Sequence, residues 1–145
     1  MRKHREQQGA ALIELALAIP FMILLSMMVI EFGRALYEYN TVTKSVRDGV
    51  RYLSTKTPNT LCADARNLVV YGSVGTGSAP LAPGLSTDAV SCSWQTAGSF
   101  PLINTVTVTV TGYRFQSMVS SVFGTALTDG GITFGAISAT MRTQT

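Results

Sequence analysis

The sequence predicts an α+β fold: a long N-terminal helix that crosses a membrane and continues into the periplasm, packed on a small antiparallel sheet of about three strands, with a short second helix and a disulfide. Three observations carry this prediction. A run without charge from Leu15 to Ile30 follows a basic N-terminus, an apolar stripe at helical spacing continues to Leu53, and Thr105 to Thr111 alternates threonine with valine. With 145 residues, 46% hydrophobic and 13% charged, the chain is too apolar for disorder and has room for one small domain beside a membrane segment.

Four parts are expected: a basic leader (1–9), a transmembrane helix (10–30), an amphipathic continuation of that helix in the periplasm (31–57) and a small α+β head (58–145). Residues 10–30 are interrupted only by Glu14, Pro20 and Ser26, and at a rise of about 1.5 Å per residue they cover about 30 Å, the thickness of a hydrocarbon core. Arg2, Lys3, His4 and Arg5 precede the run, so the positive-inside rule keeps the N-terminus cytoplasmic and exports the chain beyond residue 31. A cleaved secretory signal peptide begins in the same way. Against it stand the acidic Glu14, the length of the run, and the sequence Met28-Val29-Ile30-Glu31-Phe32 where a small-x-small cleavage pattern would be needed.

The formal net charge is +3, of which Arg2, Lys3 and Arg5 against Glu6 supply +2. The nearly balanced remainder does not favour nucleic acid as a partner. The single histidine, His4, lies in the leader, so the rest of the chain assembles neither a Ser/His/Asp or Cys/His catalytic set nor a histidine metal cluster. Asp64, Asp88 and Asp129 are scattered and form no carboxylate pair of recognisable spacing. No enzymatic activity, metal or cofactor is expected.

Glu14 is the most informative residue. A carboxylate near the start of a membrane helix costs roughly 1–3 kcal/mol unless it is paired, snorkels to the interface or protonates. Gly9 lies five residues before it, and Gln7-Gln8-Gly9-Ala10-Ala11-Leu12-Ile13-Glu14 resembles a prepilin processing site. That resemblance implies cleavage by a prepilin peptidase on the cytoplasmic side, between Gly9 and Ala10, with the apolar helix kept in the mature protein. It also implies that Glu14 is the charge partner of the new N-terminal amine, that of a neighbouring subunit. Two ions costly alone in a greasy bundle are tolerable together.

Beyond the membrane, Phe32, Leu36, Tyr39, Val46, Val50 and Leu53, with Thr43 in the gap, recur at alternating intervals of four and three. Arg34 with Glu38 and Lys44 with Asp48 are opposite charges four apart. Thr57-Pro58 ends the helix, which over residues 10–55 would be about 70 Å long, and Pro20 is expected to kink it. Gly33 and Gly49, poor helix formers, point to close approach of another backbone or a local bend.

The segments Gly9 to Pro20, Glu31-Phe32-Gly33-Arg34 and Arg47-Asp48-Gly49-Val50-Arg51 together resemble the TadE-like pseudopilins of tight-adherence (Tad/Flp) pili. The resemblance covers residues 7–55. It implies a minor pseudopilin, processed by prepilin peptidase and incorporated into, or initiating assembly of, an adhesive pilus. The partners implied are other pilins and pseudopilins, including a major Flp-type pilin, and an inner-membrane assembly platform. The implied location is the bacterial inner membrane, then the pilus at the cell surface. Major Flp pilins are far shorter and usually have tyrosine where Leu15 stands, which favours the minor role. Relatives often carry glutamate and alanine in place of Asp48 and Val50. The competing function is a non-polymerising, single-pass membrane-anchored protein whose residues 58–145 bind a ligand or envelope partner.

In the head, residues 59–71 read as a short helix with Asn59 as its cap and Gly72 as its stop. Residues 72–88, rich in glycine, serine, proline and alanine, read as loop, and no phosphate-loop lysine comes after Gly77. Cys62 and Cys92, both beyond the membrane segment, are expected to form a disulfide, with two free buried thiols as the alternative. Strands are expected near 88–95, 104–115 and 131–142, with a bulge or close helix contact at Gly135, and the threonine face or an exposed edge is a candidate contact surface. The Tyr113–Leu127 connection, with Phe115, Met118, Val119, Val122 and Phe123, reads equally as a short helix or a buried loop.

Overall fold

The computed structural model describes residues 3–118, 121–122, 125–126 and 131–144. The chain divides into two compact units, Met1–Arg34 and Ala35–Thr145. Helix α1 is Lys3–Ser54. The first unit holds its N-terminal turns. There Arg34 pairs with Glu31 at 3.2 Å, and the Ser26 hydroxyl donates to the carbonyl of Met22.

In the second unit the later turns of α1 meet helix α2 (Cys62–Tyr71) and a three-stranded antiparallel sheet of β1 (Val90–Ala97), β2 (Ile103–Val110) and β7 (Ile137–Arg142), with β2 in the centre. Short pairs complete it: β3 (Arg114–Phe115) with β6 (Ile132–Thr133), and β4 (Ser121–Val122) with β5 (Thr125–Ala126). The long helix, second helix, three-stranded sheet and Cys62–Cys92 disulfide are those the sequence predicts.

The alternation in β2 sets the core. Val106, Val108 and Val110 are fully buried against Val42, Val46, Val50 and Leu53 of α1 and Val69 of α2, while Thr105, Thr107 and Thr109 are half-buried on the opposite face. Cross-strand pairs tie that second face together: Thr107 and Thr140 share a 2.7 Å hydroxyl contact, and Thr105 donates to the carbonyl of Gln95. At one end, the backbone N–H of Gln144 bonds to the carbonyl of Ser54, and that of Thr143 to the carbonyl of Asn104. At the other, the Tyr113 hydroxyl donates to Glu38 Oε2 at 2.8 Å. Strand β2 therefore runs antiparallel to the adjoining turns of α1.

Four local readings are corrected. The stripe on α1 holds at Val46, Val50 and Leu53, which are buried, but on the turns before them the buried residues are Ala35, Glu38 and Val42, whereas Phe32, Leu36 and Tyr39 are exposed. Helix α2 begins at Cys62, because Asn59 and Leu61 take left-handed backbone conformations (φ 61° and 57°) and the chain turns before the helix starts. No Asn59 cap forms. Gly72 does stop the helix, at φ 74° with its N–H on the carbonyl of Leu68.

The strand expected over 104–115 ends at Val110, where Gly112 at φ 70° turns the chain, and residues 114–115 pair separately with 132–133. The strand expected over 131–142 is broken at 134–136, where the Phe134 N–H bonds to the carbonyl of Tyr113 and its ring stacks on that of Tyr113, centroids 5.8 Å apart, and lies 5.4 Å from that of Tyr39. A Cβ at Gly135 would meet nothing within 4 Å, so no close helix contact lies there. In its described parts the Tyr113–Leu127 connection is short strands; Val119, Phe123 and Leu127 lie outside the described residues, as does Asp129.

Candidate functional site: the apolar helix and its glutamate

Gly9, Ala10, Glu14 and Pro20 all lie on α1, within the first unit. The helix runs through Pro20. It is long and apolar enough to cross a membrane. Its apolar side chains are turned outward all round, with Leu12, Leu17, Phe21 and Val29 each about two-thirds exposed or more. A helix apolar on every side satisfies its backbone internally and finds its surroundings in lipid or in other apolar helices.

Two residues break this apolar surface without a reason in the chain's own packing. Gly9 costs helix stability, yet a Cβ built on it meets nothing within 4 Å. Glu14 is exposed and has no hydrogen-bond or ion-pair partner among the described residues. They stand five residues apart on one segment, about 7.5 Å along the axis.

Gly49, the other helical glycine of the Arg47–Arg51 segment, has an internal reason. A Cβ there would lie 2.6 Å from Val69 Cγ2, so the bare backbone lets α2 close onto α1. A Cβ at Gly33 meets nothing within 4 Å. Cys62 at the start of α2 is bonded to Cys92 in β1, fastening the helix to the sheet.

Sequence reasoning misses Glu38, placing it as a surface partner of Arg34. Its side chain is buried and accepts the hydrogen bond of Tyr113. Burial, and then the bond to Glu38, push the Tyr113 phenol well above its ordinary pKa of 10. The signal that could have found it is position: Glu38 lies four before Val42, which lies four before Val46. Lys44 and Asp48 form no ion pair among the described residues, and both line an open groove with Tyr37, Asn40, Thr41 and Leu81. Among the described residues no three His, Cys, Asp or Glu side chains converge as metal ligands.

No curated protein and no solved structure matches the chain. The model of one protein family does, and its match begins at the glycine without a steric reason, includes Glu14, and ends on the helix segment that packs α2. Residues 9–51 match the model of the family described as TadE-like protein, and over that segment the chain is similar to that family.

Proposed function

We propose that this chain is a minor pseudopilin of a Tad/Flp-type pilus. A prepilin peptidase cuts it between Gly9 and Ala10, residues 10–30 hold it in the inner membrane with the head in the periplasm, and it is then drawn into a pilus or its initiating complex. The observation that carries this reading is the pairing within the matched segment of a glycine that packing does not require and a carboxylate left unpartnered on an apolar helix. A peptidase that needs a small residue at the cut explains the first. The amine released on a neighbouring subunit explains the second, because an ion pair formed in an apolar bundle offsets the desolvation of both charges.

The activity is association. Work for extraction comes from a separate ATPase and membrane platform, and the partners are other pilins, a major Flp-type pilin among them. The exposed apolar surface of the N-terminal helix supports this, since such a helix can exchange lipid for neighbouring helices at little cost.

The test is the N-terminal sequence and intact mass of membrane-extracted protein, with and without the cognate peptidase. A start at Ala10 that is lost without peptidase, or in Gly9→Val, supports the pilin pathway. An uncut N-terminus in the presence of peptidase refutes it in favour of a static membrane anchor, and a start beyond Met28 shows a secretory signal peptide.

A further inference from the structure

We propose that the β1–β2 hairpin tip, Phe100-Pro101-Leu102, is a membrane-contact loop that docks on the surface of an anionic phospholipid bilayer. The tip lies at the end of the second unit remote from Ala35, where the chain enters it: β2 runs antiparallel to α1, and its first residues sit beside Thr143 and the Ser54 end of the helix. Phe100 is 95% exposed and Leu102 61%. Two neighbouring large apolar side chains held in water on a protruding turn do nothing for the core.

The surrounding charge selects the partner. From Ala89 to Tyr113 the chain has no charged residue, so the whole hairpin can approach a low-dielectric surface without desolvating an ion. Three cations lie toward this end: Arg142, on the rung Gln95–Thr105–Arg142, with Arg51 and Lys56 where α1 ends, the Lys56 ammonium 5.3 Å from the centre of the Tyr52 ring. The acid at this level, Asp64, accepts a hydrogen bond from Tyr52 and is half-buried. An apolar tip backed by cations is the pattern of interfacial lipid binding, the side chains entering the headgroup boundary while the cations meet anionic headgroups. This proposal is independent of pilus assembly and requires only that the head be presented to a bilayer surface.

The test uses the full chain in phosphatidylcholine nanodiscs, mixed with vesicles of phosphatidylcholine alone or with phosphatidylglycerol and separated by flotation. Nanodiscs carrying the protein should float with the anionic vesicles and not with the neutral ones. Phe100→Ser with Leu102→Ser should cut recovery about tenfold, and Arg51→Gln with Arg142→Gln should lower it and weaken its dependence on salt. All these positions are exposed, so an unchanged Trp94 fluorescence and an intact disulfide show that the head is folded. Equal recovery of the Phe100/Leu102 variant, equal recovery on neutral vesicles, or no recovery at all would overturn the proposal. So would pairing of nanodiscs without vesicles that depends on Phe100, which would assign the tip to a second copy of the chain.

Discussion

Replacing Gly49 by alanine pits local helix propensity against packing, and the structure decides the sign. Alanine in a helix interior gains about 1 kcal/mol over glycine. At this position, however, the new methyl would sit 2.6 Å from Val69 Cγ2, well inside an ordinary carbon–carbon contact, with Ala65 O at 3.6 Å and Val108 Cγ1 at 3.9 Å. Val69 is fully buried and, being β-branched in a helix, has one strongly preferred rotamer, so it cannot swing away cheaply. Overpacking of this kind costs about 1–3 kcal/mol, and the expected net loss is about 1 kcal/mol. Val69→Ala alone removes two buried methyl groups and should cost about 2 kcal/mol. The double variant should be no less stable than Val69→Ala, because the alanine at 49 enters the vacated space, giving a favourable coupling of about 1–2 kcal/mol. Trp94 is the single tryptophan and packs against this core, so its fluorescence in urea titrations of detergent-solubilised protein reports the head. A loss of 1 kcal/mol lowers the urea midpoint by about 0.5 M. A Gly49→Ala midpoint above wild type, or strict additivity with Val69→Ala, would refute the claim that this glycine exists for the α1–α2 approach. Gly33→Ala, where nothing opposes the gain in helix propensity, should not lower the midpoint.

Replacing Cys62 and Cys92 together by serine opens a loop of separation 30 and should destabilise the head by about 3–4 kcal/mol in the chain-entropy account, read by the same titration with and without reductant. Tyr113→Phe leaves the buried Glu38 carboxylate without its 2.8 Å donor and should cost about 1–3 kcal/mol. The Tyr113 phenol is raised above its unfolded value of 10, so it favours the fold below pH 10 and loses that contribution as pH rises beyond it. Wild-type stability should therefore fall more steeply above pH 10 than that of Tyr113→Phe, and parallel curves would contradict this assignment. Glu14→Ala should leave the Trp94 transition and the disulfide unchanged while abolishing co-purification with pilus components; a shifted transition would show that Glu14 serves the fold.

Much of the architecture is written in short-range pattern. The threonine–valine alternation predicts a strand with one buried face, and Val106, Val108 and Val110 occupy that face. Gly72 stops α2 because glycine takes the left-handed conformation at no steric cost, a property of the residue wherever it stands. The apolar run from Ala10 to Ile30 is legible for the same reason: backbone bonds close within the segment, so its helicity needs no partner. The Gly9–Glu14 spacing is visible too, and the structure adds that among the described residues nothing packs where a Gly9 Cβ would stand and nothing pairs with Glu14.

What stays hidden in the sequence depends on contacts between distant segments. Side-chain size favours Leu36 over Val42 for the buried stripe, but which side of α1 is covered is settled by where α2 and the sheet lie, and they cover Val42. Glu38 is a surface acid by composition and a buried acceptor in fact, because Tyr113, 75 residues away, brings a hydroxyl to it. The strand expected over 131–142 is split because residues 132–133 pair with 114–115 while 137–142 pair with β2, partners no local window contains. Local sequence suffices for the elements that close their own hydrogen bonds or carry their own turn residue. Which faces those elements bury follows from long-range packing, because burial is a property of the surface that arrives from elsewhere in the chain.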